Sequence, residues 1–231
     1  MKRLFLTLGI LVAGCSDDNR TPTDPADSNT HGTAIEGQAK ADENFNCIGT
    51  ASGSFANVFV PAGRTCYLQR STVKGNVLAR EGSRLFVSDT RVQGNIDGVE
   101  ARVVQVRGGS LGGSIQIKEG SSAGELGAAV YGGTVLSQGN ITIQKMNTGT
   151  IRIADVVLQK GNIQIQENAV GSGLEVVRNR VAQNLQVFVN RGRGAKTVRG
   201  NTVRQTLECK ENTRPFTGGP NRAGEAKEQC F

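Results

Sequence analysis

The sequence lacks several of the side chains from which enzyme sites and ligand platforms are commonly built. It contains no tryptophan, aromatic residues make up 4% of the chain, and the single histidine, His31, lies in a polar stretch. So few large rings exclude a core built on aromatic side chains and argue against an aromatic platform for stacking sugars. One histidine alone argues against a Ser-His-Asp or Cys-His catalytic site and against a histidine-based metal site.

Segments long enough to span a membrane, and helical patterns, are also missing. The N-terminal apolar stretch covers residues 4–13, which is shorter than the roughly 20 apolar residues that a membrane-spanning helix needs. In the rest of the chain, apolar residues recur at a spacing of two and not of three and four. These patterns argue against a spanning helix at the N-terminus and against a helical domain.

The N-terminus has the organisation of an export signal. It reads MKRLFLTLGILVAGC, with a positive n-region at Lys2 and Arg3 followed by the apolar h-region. The ending Val-Ala-Gly-Cys resembles the lipobox of bacterial lipoproteins. This resemblance implies that residues 1–14 form a lipoprotein signal peptide and that Cys15 carries a diacylglyceryl group and an N-acyl chain, which together anchor a protein stably.

By the habit of that family, Ser16 after the cysteine favours the outer membrane where the cell has one. An ordinary cleaved signal peptide followed by a chance cysteine remains the alternative. After the signal peptide, we expect residues 15–46 to form a disordered tether, because they are polar and lack apolar periodicity. Its acidic residues outnumber its two basic ones and are Asp17, Asp18, Asp24, Asp27, Glu36, Asp42 and Glu43.

A repeat organises the remainder of the chain. A corner that is usually Gly-Asn, followed by apolar-x-apolar, recurs at Asn57, Asn76, Asn95, Ser114, Asn140, Asn162, Asn184 and Thr206. The spacing is 19 residues in the early repeats, 26 once, and 22 in the later ones. Each unit holds further apolar points at strand period, which gives three short strands per unit. One unit cannot bury its own apolar residues, but stacked units can.

We therefore predict an all-β fold, a single right-handed parallel β-helix of about eight coils over residues 47–231. The corner asparagines are expected to stack as an amide ladder. The irregular Gly-rich stretch 119–133 predicts a looser coil or a projecting loop. An antiparallel β-sandwich with regular turns is the alternative.

The cysteines other than Cys15 fit this periodicity. Cys47 and Cys66 are 19 residues apart, and Cys209 and Cys230 are 21 apart. Residues one coil apart should occupy the same point on adjacent rungs, close enough for a disulfide, and an exported protein meets an oxidising environment. We predict the bridges Cys47–Cys66 and Cys209–Cys230, with free buried thiols as the alternative.

The coils resemble the right-handed parallel β-helices of the pectate-lyase-like superfold. The ending, with NLQV, GNTVRQTLECKEN, GGPN and EQC, is also similar to a group of exported bacterial repeat proteins of unknown function. The tail 213–231 is expected to cap the stack against end-to-end growth into a polymer. A likeness at the level of the fold does not by itself imply a function.

Acidic residues, which β-helix lyases and hydrolases use for catalysis or to hold Ca²⁺, are sparse in the coils. The outward row of the first strand has acids only at Asp97 and Glu208, and Asp97 with Glu100 is the best local pair. We predict no catalytic residue, no cofactor and no metal site. The glutamines of this outward row, Gln116, Gln164 and Gln186, are expected to form a stacking row, with a ligand-binding row as the alternative. A carbohydrate-active β-helix enzyme, or a degenerate relative of one, is the alternative.

The charge balance favours a polyanion as partner. The chain carries a formal charge of +7, and since residues 1–46 hold four basic and seven acidic residues, the body carries +10. Such a surface attracts anionic polysaccharide or another envelope polyanion. Nucleic acid is disfavoured because no aromatic residues are interleaved with the charge. The candidate polyanion-binding residues are Arg178, Arg180, Arg191, Arg193, Lys196, Arg199 and Arg204, with the 191–196 segment expected to project.

These observations predict a non-catalytic, lipid-anchored protein of the cell surface that serves as a scaffold or a binding and adhesion module. A merely solvated basic face is the competing interpretation of the charge. A self-assembling polymer is a further alternative, because stackable ends favour growth.

Overall fold

The structure is a computed structural model that describes residues 43–230. The predicted signal peptide, Cys15 and most of the predicted tether lie outside these residues. Residues 43–230 form only strands and turns, and they include no helix that could cross a membrane.

The 26 strands, numbered along the chain, stack turn upon turn in three columns, and their pairings are parallel. The first column contains β1 (Asn44–Asn46), β4 (Asn57–Val60), β7 (Val77–Ala79), β10 (Ile96–Val99), β13 (Ile115–Lys118), β16 (Ile141–Gln144), β19 (Ile163–Gln166), β22 (Leu185–Phe188) and the C-terminal parts of β24 (Thr202–Lys210) and β26 (Arg222–Glu228). The second column contains β2 (Gly49–Ala51), β5 (Thr65–Gln69), β8 (Arg84–Ser88), β11 (Val103–Arg107), β14 (Ser121–Tyr131), β17 (Asn147–Ala154), β20 (Ala169–Val177), β23 (Ala195–Arg199) and β25 (Phe216–Gly218). The third column contains β3 (Ser54–Phe55), β6 (Thr72–Val73), β9 (Arg91–Val92), β12 (Ser110–Leu111), β15 (Val135–Leu136), β18 (Val157–Leu158), β21 (Arg180–Val181) and the N-terminal parts of β24 and β26.

This arrangement is a parallel β-solenoid of about eight turns, as predicted, and the antiparallel sandwich is excluded. Alternation along each strand puts every second side chain inside. In the first column the inward residues that follow the predicted corners pair turn by turn and are fully buried: Val58, Val77, Ile96, Ile115, Ile141, Ile163, Leu185 and Leu207. Burial of each such aliphatic side chain is worth about 1.5–3 kcal/mol.

The change of turn length is absorbed between the first and second columns. In the 22-residue turns, β17 and β20 each begin with an extra pair of residues before a register shift. In the 26-residue turn, β14 spans residues 121–131 of the predicted irregular stretch 119–133, and its register shifts between Ser122 and Leu126 and again between Leu126 and Ala128. The insertion therefore loosens the turn without leaving the sheet.

The predicted ladder at the Gly-Asn corner is present. The Oδ1 atom of Asn57 accepts a hydrogen bond from the backbone N–H of Asn76 at 2.8 Å, and the pairs Asn76–Asn95 and Asn140–Asn162 repeat this bond at 2.8 Å. Each turn thus uses its corner side chain to satisfy the backbone of the next turn.

Two further asparagine ladders, which the sequence analysis missed, are buried at the other two corners. In one, the Nδ2 atoms of Asn168 and Asn190 donate to the Oδ1 atoms of Asn190 and Asn212 at 2.8 and 2.9 Å. In the other, Asn179 donates to Asn201 at 3.0 Å. Every one of these amides also donates to a backbone carbonyl of a preceding turn. Burial of the amides is therefore compensated by complete hydrogen bonding.

Replacing Asn190 by alanine should destabilise the protein by about 2–4 kcal/mol, because the buried partners in the turns on both sides lose their hydrogen bonds. The same change at Asn162, which is only partly buried, should cost about 1 kcal/mol or less. Urea unfolding of the two variants measures both values. Equal losses would contradict the distinction between the buried and the half-exposed ladder.

Both predicted disulfides are present, with Cα–Cα distances of 5.4 Å for Cys47–Cys66 and 5.2 Å for Cys209–Cys230. The predicted reason for the pairing, an identical point on adjacent rungs, is wrong. The register partner of Cys66 is Gly49, and that of Cys209 is Glu228. Each bridge therefore runs diagonally, to a residue two positions away from the register partner.

The solenoid extends beyond the predicted bounds at its start and through the predicted cap. Its first strand begins at Asn44, within the predicted tether, and the rings of Phe45 and Phe55 stack 4.7 Å apart over the end of the core. Residues 213–230, expected as a cap, form another winding, because β25 and β26 pair in parallel with the turn before them.

Candidate functional site

The three columns separate the seven predicted basic residues. Arg178 lies at the corner between the second and third columns, and Arg199 ends β23 beside the same corner. Arg180 lies in β21 of the third column, and Arg204 follows the third-column part of β24. These four exposed arginines therefore border one side of the solenoid.

Arg191 and Arg193 belong elsewhere. They lie at the corner between the first and second columns, at the opposite end of the second-column strand from Arg199. The backbone of Arg191 forms an isolated parallel β-bridge with Ala169 of the preceding turn. The predicted cluster is therefore at least two separate groups on the folded chain.

Lys196 is not a surface residue, which corrects the prediction. It lies on β23 in register with Leu174 and Phe216, at an inward position, and is fully buried. Its Nζ atom donates to the carbonyl oxygens of Gly192 at 3.0 Å and Gly194 at 2.9 Å. The 22-residue spacing from Leu174 carries the signal that could have placed Lys196 in the core.

The ammonium of Lys196 substitutes for missing backbone partners. The turn that follows is shorter, and no backbone N–H of residues 43–230 donates to the carbonyls of Gly192 and Gly194. The Lys196 side chain, with the Thr213 hydroxyl at 3.2 Å from the Gly192 oxygen, supplies those hydrogen bonds. Burial lowers the pKa of Lys196, since the charged form loses hydration.

Lys196→Met should therefore change how stability depends on pH. A folded-state pKa below the ordinary value near 10.5 means that the unfolded chain binds more protons between those two values. The unfolding free energy of the wild type, relative to the variant, should rise from about pH 7 to about pH 10. Urea unfolding at both pH values measures this difference. A difference that stays constant or falls would contradict a buried, charged Lys196.

The border of the third column carries four of the seven predicted basic residues. We define the third-column surface as the four arginines Arg178, Arg180, Arg199 and Arg204 together with two cations that the sequence analysis missed, Lys160 and Arg222. Arg180 and Arg222 both align with Thr202 in the third column, so they lie two rungs, or about 10 Å, apart. Residues 180, 202 and 222 recur at about one turn, and this spacing could have predicted that Arg180 and Arg222 lie in the same column.

Within the described chain, one member of this surface forms an ion pair. Arg178 binds Asp155 through two hydrogen bonds of 2.7 Å, and these bonds lower the pKa of Asp155. The other five cations form no salt bridge within residues 43–230. These five cations are therefore available to pair with anions from outside.

The second column carries an aromatic pair that the composition argued against. The rings of Tyr67 and Phe86, in register on adjacent turns, stack with centroids 5.0 Å apart at an angle of 12°. Tyr67 is 42% exposed. A low aromatic content does not prevent two rings 19 residues apart from meeting, because that spacing is one turn.

The predicted acid pair lies on the first-column side, in a shallow pocket that Asp97 and Glu100 share with Arg80 and Glu81. Burial raises the pKa of Asp97, with the Lys118 charge acting in the opposite direction. Glu208 is five turns away along the same row. No group of three or more His, Cys, Asp or Glu residues within 43–230 is arranged to hold a metal ion.

The predicted glutamine row is interrupted. Gln164 donates to Gln186 at 2.9 Å, as a stacking row requires, whereas Thr142 stands between Gln116 and Gln164. A parallel row pairs Gln166 with Gln144 at 3.2 Å. These amides are bound to one another, which favours the structural interpretation.

Comparison with protein-family models, with curated proteins and with solved structures gives no match for this chain. The chemistry of its surfaces is therefore the basis for a functional conclusion.

Proposed function

We propose that the protein is a non-catalytic cell-surface lipoprotein whose solenoid binds an anionic polysaccharide, or another envelope polyanion, through the third-column surface. The observation that carries the proposal is the set of five cations without an ion pair within residues 43–230, placed on one side over four successive turns. Four of these five are arginines, whose planar guanidinium groups bind carboxylates, sulfates and phosphates in bidentate fashion.

A rigid row of cations suits a polymeric ligand. Turns repeat about every 4.8 Å, so the third-column surface extends for roughly 15 Å along the axis. Each contact between exposed charges is weak and screened by salt, but contacts to successive groups of one chain add without separate association costs. Polyanion affinity should accordingly be strong at low salt and fall steeply as salt rises.

The proposed location rests on the N-terminal pattern and on the disulfides. Two disulfides are compatible with an extracytoplasmic location. The lipobox resemblance supports a lipid anchor on Cys15, and the family habit at Ser16 favours the outer membrane.

Lipid anchoring predicts that labelled palmitate is incorporated into the expressed protein and that the protein enters the membrane fraction. Cys15→Ser should abolish both, because the acceptor thiol is lost. Cys209→Ser, which changes a cysteine of the solenoid, is the control and should leave labelling intact. Labelling of Cys15→Ser would show that the signal is not a lipobox.

The binding proposal predicts a difference between two triple variants of equal charge. Arg180→Gln/Arg204→Gln/Arg222→Gln removes three cations of the third-column surface and should elute from heparin at lower salt, with affinity reduced about tenfold or more. Arg64→Gln/Arg191→Gln/Arg193→Gln removes three exposed cations from the corner between the first and second columns, and should change elution much less. Salt-gradient elution of the full chain measures both.

Equal shifts in the elution salt concentration of the two triple variants would mean that heparin binding depends on net charge alone, and the proposed surface would be wrong. A larger shift for the Arg64, Arg191 and Arg193 variant would move the binding site to that corner. Circular dichroism of both variants shows whether the solenoid is intact.

A further inference from the structure

On the outside of the second column, two arginines converge on one oxygen atom. Arg84 and Arg102 each donate through Nη2 to the Oε1 atom of Glu125, at 2.8 and 2.7 Å. The second carboxylate oxygen, Oε2, is buried and has no hydrogen-bond partner in the described chain. Glu125 therefore fills a two-arginine anion site while using only half of its own capacity to accept hydrogen bonds.

The occupant and the arginines differ in how firmly they are held. Arg84 belongs to the regular strand β8, and Arg102 directly precedes β11. Glu125 lies in the insertion, between the register shift after Ser122 and the residues that resume pairing, and the adjacent Gly124 is exposed with a φ of 79°. Segments with broken pairing open at a lower free energy than regular strands. We therefore expect the carboxylate to leave its place more readily than the two arginines leave theirs.

The aromatic pair borders this anion site. Arg84 and Phe86 lie on the same outward side of β8, two residues and thus about 7 Å apart along the strand. Phe86 stacks on Tyr67, which is 42% exposed. Exposed aromatic rings offer apolar area beside polar groups. A pyranose ring could pack its C–H groups against this pair while a charged substituent reaches the arginines.

We propose that Arg84, Arg102, Phe86 and Tyr67 form a binding site for a sugar ring that carries one anionic group, and that Glu125 occupies this site as an internal, displaceable anion. A carboxylate or a sulfate on the sugar replaces the Glu125 carboxylate, and the insertion opens as it leaves. The third-column surface plays no part in this site, so either proposal can fail without the other.

The electrostatics of Glu125 agree with this role. Burial raises the pKa of its carboxyl group, but hydrogen bonds from Arg102 and Arg84 outweigh that effect and lower the pKa overall. The internal carboxylate thus stays ionised at neutral pH, and an anionic ligand has to compete with it. A neutral sugar gains nothing from the arginines while Glu125 is bound.

The test compares Glu125→Gln with the wild-type full chain, titrated with glucuronic acid, glucose 6-sulfate and glucose. Tyrosine fluorescence is the readout, because the chain has two tyrosines and no tryptophan. Glu125→Gln should bind at least one of the two anionic sugars about tenfold more tightly than the wild type does, since a neutral amide competes less for the two arginines than a carboxylate does. The stronger of the two identifies the anionic group, and glucose should show no gain.

Glu175→Gln is the matched control, because Glu175 is also an acid on the second column and pairs with Arg152 at 3.5 Å. It should leave sugar binding unchanged. Adding Arg84→Gln to Glu125→Gln should abolish the gain, and adding Phe86→Ala, which keeps Tyr67 as the fluorescent reporter, should weaken binding of the same sugar. Equal behaviour of Glu125→Gln and Glu175→Gln, or a gain that survives Arg84→Gln, would overturn the proposal.

A second measurement needs no substitution. In the wild-type chain, a saturating anionic sugar should speed hydrogen exchange at the amides of residues 123–127, because the insertion is released when Glu125 is displaced. Glucose should leave these amides unchanged. Exchange that does not respond to either anionic sugar at saturation would overturn the displacement mechanism even if Glu125→Gln fails to fold.

Discussion

Each turn of this solenoid pairs its backbone in parallel with the turns before and after it, and the rest of the structure depends on that register. The interior positions that follow the corners in the first column are aliphatic in all eight turns and pair with one another turn by turn, which produces one continuous buried column. A polar side chain can be buried in this interior only if neighbouring groups form hydrogen bonds with its polar atoms. The asparagine ladders meet this condition by repetition, because each amide donates to the next amide and to a backbone carbonyl.

The same register decides which residues become neighbours on the surface. Residues 19–23 positions apart come together, whereas residues two or three positions apart can lie on different sides of a corner. Tyr67 and Phe86 meet in this way, and so do Arg178 and Asp155. The arginines that are dense in the sequence between 178 and 204 are spread around the turn for the same reason. A charge cluster in a solenoid sequence is therefore better judged at the spacing of a turn than along the chain.

The regular part of the fold was predictable because it repeats. The corner motif marked the first-column strands, and the spacing of the cysteines identified both disulfide pairs, although the bridges run diagonally in the register. The buried ladder of Asn168, Asn190 and Asn212 was not predicted, although these residues recur every 22 residues, because no glycine precedes them and their corners lack the Gly-Asn motif. The contacts of Glu125 could not be predicted, since they depend on how an insertion packs across several turns.

Departures from the repeat are where polar side chains take unusual positions. The 26-residue turn breaks the pairing of β14, and Glu125 reaches back over two turns to Arg84 and Arg102. The shortened last turn leaves the carbonyls of Gly192 and Gly194 without backbone donors. The side chain of Lys196 is buried and donates hydrogen bonds to both. Both positions follow from a change in turn length, which breaks the regular pairing at Glu125 and removes backbone donors near Lys196. Lys196 supplies hydrogen bonds inside the core, whereas Glu125 binds two partly exposed arginines, for which we propose that an external anion competes.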